Sequence, residues 1–280
     1  MKPPPFAYVR ARSVAHAIEL LATDDARVLA GGQSLIATLN MRLSQPALLV
    51  DINGIDGLDS IALKSGQLEI GALVRQATAE RSPEIARSAP LISRALPHVA
   101  HPAIRNRGTI GGSVAFADPA AELPACLLAL DAEFEVAGAG GRRSVAVEDF
   151  FKGLFDTALG PQDLLTAIRV PAAGPDTRTG FGEFSRRQGD YALVGLAASA
   201  RAAAAQLREL RLAFFGVGST PVRSRNAETA LAKGDIDAAV ASLSTDLSPA
   251  DDVQASGAAR LHLAGVLLRR VAKQLMEPVA

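Results

Sequence analysis

The chain has 280 residues, which exceeds the usual size of one hydrophobic core and predicts two domains or one subdivided domain. Hydrophobic residues make up 49% and charged ones 21%, which excludes a disordered chain. The 29 basic and 29 acidic side chains cancel, so no overall field draws the molecule to nucleic acid or to an anionic membrane.

A single cysteine, Cys126, excludes an internal disulfide and cannot hold an iron–sulfur cluster, which needs several thiolates. It lies in the apolar helical pattern "ELPACLLALDAEF" and reads as a small core residue. No stretch approaches the roughly 18 apolar residues of a membrane-spanning helix, and "MKPPPFAYVR" lacks the apolar segment of a secretion signal. A cytoplasmic protein with no membrane span is expected. Tryptophan is absent, so a stacking surface for nucleic-acid bases has little support.

The first 55 residues predict strand, helix, strand, helix, strand. "FAYVRA" alternates, and Ser13 is placed to cap the helix "VAHAIELLAT". Arg27 to Leu29 form a strand that runs into Gly31 and Gly32. A helical stripe follows over residues 34–43, and "ALLVDI" is a buried strand ended by Asn53-Gly54. A second unit begins with "IALKSGQLEIGALV", two strands around Ser65-Gly66. Thr78 is expected to start a helix, and "APLISRALPHVA" a further one that stops before Pro102. The Cys126 helix, the strand "EFEVAG" and "DLLTAIRVP" complete this unit. Pro171, Gly174, Pro175 and Gly180 mark a domain boundary near residue 176. Beyond it come the long strands "FGEFSRR", "ALVGLAASARAA" and "LRELRLAFFGVGS", then helices over residues 227–233, 238–243 and 255–275.

Two short stretches carry chemistry. "VLAGGQSLIATL" and "GTIGGSVAF" each join two glycines to a following serine. Read as strand-to-helix turns, both would permit positive φ and admit a ligand close to the backbone. The N–H groups of the next helix would then face an anion, above all phosphate. Neither stretch is G-x-G-x-x-G or a P-loop, and tight turns without a ligand are the alternative. In "DPAAELP", Asp118 and Glu122 are either charges at a helix start or acceptors for ribose hydroxyls. Arg105 and Arg107 are a basic spot beside the second glycine motif, either solvated or near an anion. His98 and His101 lack the further ligands of a zinc site, and Pro97 and Pro102 prevent one helix from presenting both.

"LAGGQSL", "IRNRGTIGGSVAFADPAAELP", "LLTAIRVP" and "RRQGDYALVG" follow one another in an order and spacing that resembles a known family. This is the FAD-binding medium subunit of the xanthine dehydrogenase and carbon monoxide dehydrogenase group of molybdenum hydroxylases. "DVQASGAARLHLAGVLLRRVAKQL" is similar to that family's last helix. The resemblance implies an α+β fold. A two-part FAD-binding domain (1–176, a small α/β subdomain of about 1–55 and a larger mixed one of 56–176) would precede a C-terminal domain of sheet plus helices (177–280).

It also implies FAD as the cofactor of this chain, with [2Fe–2S] clusters and a molybdenum–pterin cofactor on partner subunits. These would be a small iron–sulfur chain and a large molybdenum chain, assembled as a dimer of heterotrimers. Electrons would pass from the clusters to FAD and on to a terminal acceptor. The implied cofactor-binding residues are Ala30, Gly31, Gly32, Gln33 and Ser34 in the first motif and Thr109, Ile110, Gly111, Gly112 and Ser113 in the second. Glu122 stands where relatives commonly carry Asp, one methylene shorter. Leu165 or Ile168 would pack on the cofactor, and Tyr191 would lie against the flavin ring. Xanthine-oxidising relatives often carry a lysine before the "SRR" strand, whereas Gly182 and Glu183 stand here, so no lysine role transfers. No catalytic residue and no metal ligand is assigned to this chain. The residues alone leave open a free-standing FAD oxidase or dehydrogenase and a non-catalytic nucleotide-binding module.

Overall fold

The computed structural model describes residues 2–203 and 206–277; residues 1, 204–205 and 278–280 of the expected domains lie outside them. The chain begins with three short parallel strands, β1 (Ala7–Arg10), β2 (Ala26–Leu29) and β3 (Leu48–Asp51), in the order β1-β3-β2. Parallel neighbours need crossovers, and helices α1 (Val14–Leu21) and α2 (Leu35–Asn40) supply them. The Ser13 hydroxyl accepts from the His16 N–H at 3.1 Å, the cap expected from sequence.

The next unit is a five-stranded antiparallel sheet with helices packed on it. The hairpin β4 (Ile61–Lys64) and β5 (Gln67–Gly71) turns at Ser65 and Gly66, both at positive φ. Helices α3 (Gln76–Glu80), α4 (Pro83–Ser88), α5 (Pro90–Ala95), α6 (Pro102–Arg105), α7 (Ile110–Phe116) and α8 (Glu122–Ala129) follow. Then come β6 (Glu133–Gly138), β7 (Gly141–Ala146), α9 (Val147–Phe150), the small pair β8 (Phe151–Gly153) and β9 (Asp156–Thr157), and β10 (Leu164–Pro171). The sheet order is β4-β5-β10-β6-β7. The last unit is a four-stranded antiparallel sheet of β11 (Thr177–Ser185), β12 (Ala192–Ala203), β13 (Gln206–Phe215) and β14 (Val222–Arg223). It is closed by α10 (Arg225–Ala232), α11 (Ile236–Asp246) and α12 (Gly257–Met276). The fold is mixed α+β, and among the described residues no helix is long and apolar enough to cross a membrane.

Strand periodicity explains how the last two units join. On β12, Val194, Leu196, Ala198 and Ala200 face α12 and its neighbours. Ala197, with Ala213 and Phe215 of β13, belongs to the core of the five-stranded unit. Both faces of this sheet are covered, so its strands read as nearly continuous apolar runs. Cys126 is fully enclosed, and burial pushes its thiol well above the ordinary range.

Several local expectations change for identifiable reasons. The helix expected over 89–100 is only α5 plus a single 3₁₀ turn (Leu96–His98), because Pro97 cannot continue an α-helical ladder. Pro102 opens α6 at its first position rather than merely ending the preceding segment. Helix α3 starts at Gln76, ahead of Thr78, because the Arg75 backbone is held in a bridge to Thr109. Helix α2 ends at Asn40, where Arg42 turns left-handed and the Leu43 N–H returns to the Thr38 carbonyl at 2.9 Å.

The centre of the five-stranded unit is the fully buried Phe134, with ring centroids 4.2 Å from Phe150 and 6.0 Å from Phe151. We expect Phe134→Ala to cost about 3–5 kcal/mol, the usual loss for a buried aromatic. Urea unfolding would measure it; a loss below about 1 kcal/mol would show that this cluster does not organise the unit.

Candidate functional site

The first glycine motif leaves β2 and enters α2. Gly32 sits at φ +73°, a conformation that side chains with a Cβ rarely adopt. Among the described residues, no protein acceptor faces the backbone N–H groups of Gly31, Gly32, Gln33 and Ser34. The Ser34 side chain makes no capping bond, whereas the Gln33 amide folds back onto the Gly31 carbonyl at 3.1 Å. A row of open donors with a free hydroxyl beside it is suited to an anion.

The second motif is built differently, which corrects the expectation of two like turns. Gly111 and Gly112 lie inside the first turn of α7, with ordinary helical φ. The N–H groups of this turn are already used: Ile110 donates to Val74 O, Gly111 to Ala72 O, Gly112 to Thr109 Oγ1 and Ser113 to Thr109 O. These glycines serve close approach rather than torsional freedom. A Cβ on Gly111 would lie 2.6 Å from Ala72 Cα, and one on Gly112 would lie 2.6 Å from Thr109 Oγ1 and 3.8 Å from Ala30 Cβ. The second motif is thus a thin wall set against the first, and the first supplies the donors.

The two walls touch. A Cβ on Gly31 would collide with the Arg107 carbonyl oxygen and come within 2.9 Å of Gly108 Cα. Polar side chains brace this contact from behind. Asn53 donates to Ala30 O at 2.8 Å and to Asp51 Oδ1 at 2.7 Å, and Asp51 accepts from the Tyr8 hydroxyl at 2.5 Å. Arg75 donates to Asn53 Oδ1 at 2.6 Å with one arm and to Arg107 O with the other. One guanidinium therefore ties the support of the first wall to the backbone of the second. Between the walls lies a cleft of about 480 Å³, lined by Ala30 to Ser34 on one side and by Thr109, Gly112 and Ser113 on the other. The rings of Phe116 and Phe155, 5.1 Å apart, also line it, and Phe155 is held at φ +54°.

The remaining expected residues are dispersed. Ile110 and Gly111 are buried behind the second wall. Leu165 and Ile168 lie in the core of the five-stranded unit, 4% and 0% exposed, rather than on the cleft lining. Tyr191 is 64% exposed and borders a separate groove of about 520 Å³ together with Asp118. Asp118 accepts from the Ala120 N–H at 2.9 Å, and burial raises its carboxyl. Arg105 is neither solvated nor open to an anion, because it forks onto Glu80 at 2.8 and 3.1 Å and donates to Val99 O. Arg107 remains exposed on the far side of the first turn.

Residues 4–173 match the family model described as "FAD binding domain in molybdopterin dehydrogenase", and residues 179–275 match "CO dehydrogenase flavoprotein C-terminal domain". The chain belongs to the FAD-binding medium subunits of the molybdenum hydroxylases. As such it is the flavoprotein component of a heteromeric oxidoreductase. It is 41% identical over 278 residues to the 6-hydroxypseudooxynicotine dehydrogenase complex subunit alpha of Paenarthrobacter nicotinovorans, covering 96% of this chain and 94% of that protein. Among solved structures it is similar to carbon monoxide dehydrogenase from Hydrogenophaga pseudoflava lacking the Mo-pyranopterin moiety, with TM-score 0.97, 33% identity and full coverage of both chains. It is also similar to quinoline 2-oxidoreductase from Pseudomonas putida 86, with TM-score 0.93 and 35% identity over 99% of this chain and 98% of that one.

The cleft of this medium subunit fits a dinucleotide on its own geometry. Open amides would meet the charge of a pyrophosphate, the glycines leave space for it, and apolar rings line the same cleft. Three supporting residues escaped sequence reading: Asn53, Arg75 and Gln76, the last enclosed on the cleft lining. Asn53 carried only a turn signal, and nothing local distinguishes the other two.

Glu122 opens α8 and is 8% exposed. Burial raises its carboxyl from the ordinary 4.5 to about 7, with Glu183 and Asp118 adding to the rise and His98 opposing it. His98 is itself raised by the Glu183 carboxylate 3.5 Å away. Because the folded state holds the Glu122 proton more tightly, this group's contribution to stability falls as pH rises from 4.5 to about 7 and stays lost above it. The shift corresponds to about 3 kcal/mol. We expect the stability of Glu122→Gln relative to the wild type to rise by about 2–3 kcal/mol between pH 5 and pH 8, measured by urea unfolding. An equal difference at both pH values would contradict this placement of Glu122.

Proposed function

We propose that this chain is the flavin station of its complex, binding FAD, taking electrons from [2Fe–2S] clusters on a small partner subunit and passing them to a terminal acceptor. A large partner subunit would carry the molybdenum–pterin cofactor and oxidise the substrate, with the three chains assembled as a dimer of heterotrimers. The observation that carries the reading is the run of unpaired backbone N–H groups from Gly31 to Ser34 on the lining of a cleft whose other side is the glycine wall of α7. The relatives' description as medium chains and complex subunits supports the partners. So does the single buried cysteine, which leaves this chain without a thiolate set for a cluster.

FAD, when bound, would supply the redox chemistry, and the protein would supply grip, orientation and electrostatics. Ala30, Gly31, Gly32, Gln33 and Ser34 would hold the pyrophosphate, with Thr109, Gly112 and Ser113 closing over it and Ile110 and Gly111 fixing that wall from behind. Glu122 would serve the sugar region, and Tyr191 would cover one face of the flavin ring, where it governs access of the acceptor. The boundary between the FAD-binding and C-terminal domains is placed near residue 176, in the connection between β10 and β11.

The purified chain should show a flavin absorption spectrum and release FAD on denaturation. FMN, or a colourless protein from an intact complex, would refute the assignment. Gly32→Val and Gly112→Val should each abolish flavin retention while leaving the circular dichroism spectrum close to wild type. If both variants keep full flavin, the motifs serve only the fold.

A further inference from the structure

Gln76 opens α3 and lines the cleft beside Thr109 and Gly112, yet it is only 5% exposed. Its backbone N–H is satisfied, donating to Gly108 O at 2.9 Å. Its side chain is not, because the amide oxygen is enclosed with no hydrogen-bond partner among the described residues. Such a group is destabilising in an isolated chain, and natural cores retain few of them. The surroundings make room for it deliberately. A Cβ on Gly108 would lie 2.5 Å from that oxygen, so the glycine preceding the second wall is what admits the amide.

Val99 and Ile104 line the same cleft with apolar side chains, and among the described residues no donor, the Thr109 hydroxyl included, reaches the amide oxygen. An unpaired acceptor calls for a donor, and an ionised pyrophosphate has none. A sugar hydroxyl both donates and accepts, so it can pair with whichever end of the amide the cleft exposes, the two ends being exchanged by a half-turn. The dinucleotide proposed for this cleft carries such hydroxyls on both sides of its pyrophosphate.

We propose that Gln76 is a ligand-contacting residue whose side-chain amide hydrogen-bonds a sugar hydroxyl of the dinucleotide gripped between the two glycine walls. The proposal rests on the reading of the cleft as the FAD site. It assigns the unpaired amide to affinity rather than to folding, and the two roles predict opposite behaviour on substitution. Replacing the amide with an apolar group of similar size removes a buried unpaired oxygen, so the free protein should be as stable as before or more so. The loaded protein should lose a hydrogen bond.

The test uses the full chain freed of flavin, as wild type, Gln76→Met and Gln76→Leu. Thermal melting follows the apo form, and titration with FAD and separately with ADP gives the dissociation constants. Expected are apo melting temperatures at or above wild type and an FAD dissociation constant raised about tenfold. If ADP weakens in parallel, the contact is to the adenosine ribose; if only FAD weakens, it is to the ribityl chain. An FAD dissociation constant within about twofold of wild type, or a lowered apo melting temperature in both variants, overturns the assignment. A wild-type chain that takes up no FAD refutes the underlying cofactor reading instead, so the two failures are distinguishable.

Discussion

The site depends on one close contact, the backbone of Gly31 pressed against that of Arg107 and Gly108. A side chain at position 31 would hold the walls apart, and the opposed surfaces at Ala30 and Gly112 would separate with them. The contact is not left to packing alone. Asn53 holds the first wall by the Ala30 carbonyl, and Arg75 joins Asn53 to the Arg107 carbonyl. A planar guanidinium with two engaged arms fixes both distance and angle, which a single lysine ammonium would not. The cleft is therefore preorganised by the fold, and the ordering cost of a ligand falls accordingly.

The walls divide the labour. The first presents unpaired amides at a turn that only a glycine enters without strain, and the second presents a helix face with its amides already spent. Open donors lie on one side and close packing on the other. The same economy of stability appears around Glu122 and Gln76. Each is a polar group enclosed at a cost to the isolated fold, and Gln76 also lines the cleft. Proteins carry such costs most often where function requires them. The Glu183 carboxylate, with one oxygen enclosed and unpaired among the described residues and the other facing His98, extends this polar seam to the C-terminal sheet.

Much of this was legible in the sequence because its signals are local. Ser13 before an apolar stripe announced the α1 cap, Ser65-Gly66 between alternating runs announced a hairpin, and the serine-following glycine pairs marked the two walls. What remained hidden depends on partners distant in the chain. Asn53 and Arg75 are 22 positions apart, and Arg75 reaches Arg107 across 32. No pattern within either segment shows that they meet. A glycine pair is also ambiguous by nature, since it can provide positive φ, as at Gly32, or close packing, as at Gly111. Only the tertiary neighbour, Ala72 in the second case, decides between them. The apolar "LLTAIRVP" fitted both a core strand and a cofactor surface, and the fold places Leu165 and Ile168 in the core.

A crystal structure of the chain loaded with FAD would show whether the two walls grip the cofactor's pyrophosphate. The pyrophosphate is expected within about 3 Å of the amide nitrogens of Gly31 to Ser34, with Gly112 and Ser113 opposite. A pyrophosphate bound elsewhere, for example in the outer groove beside Tyr8 and Arg107, would contradict it.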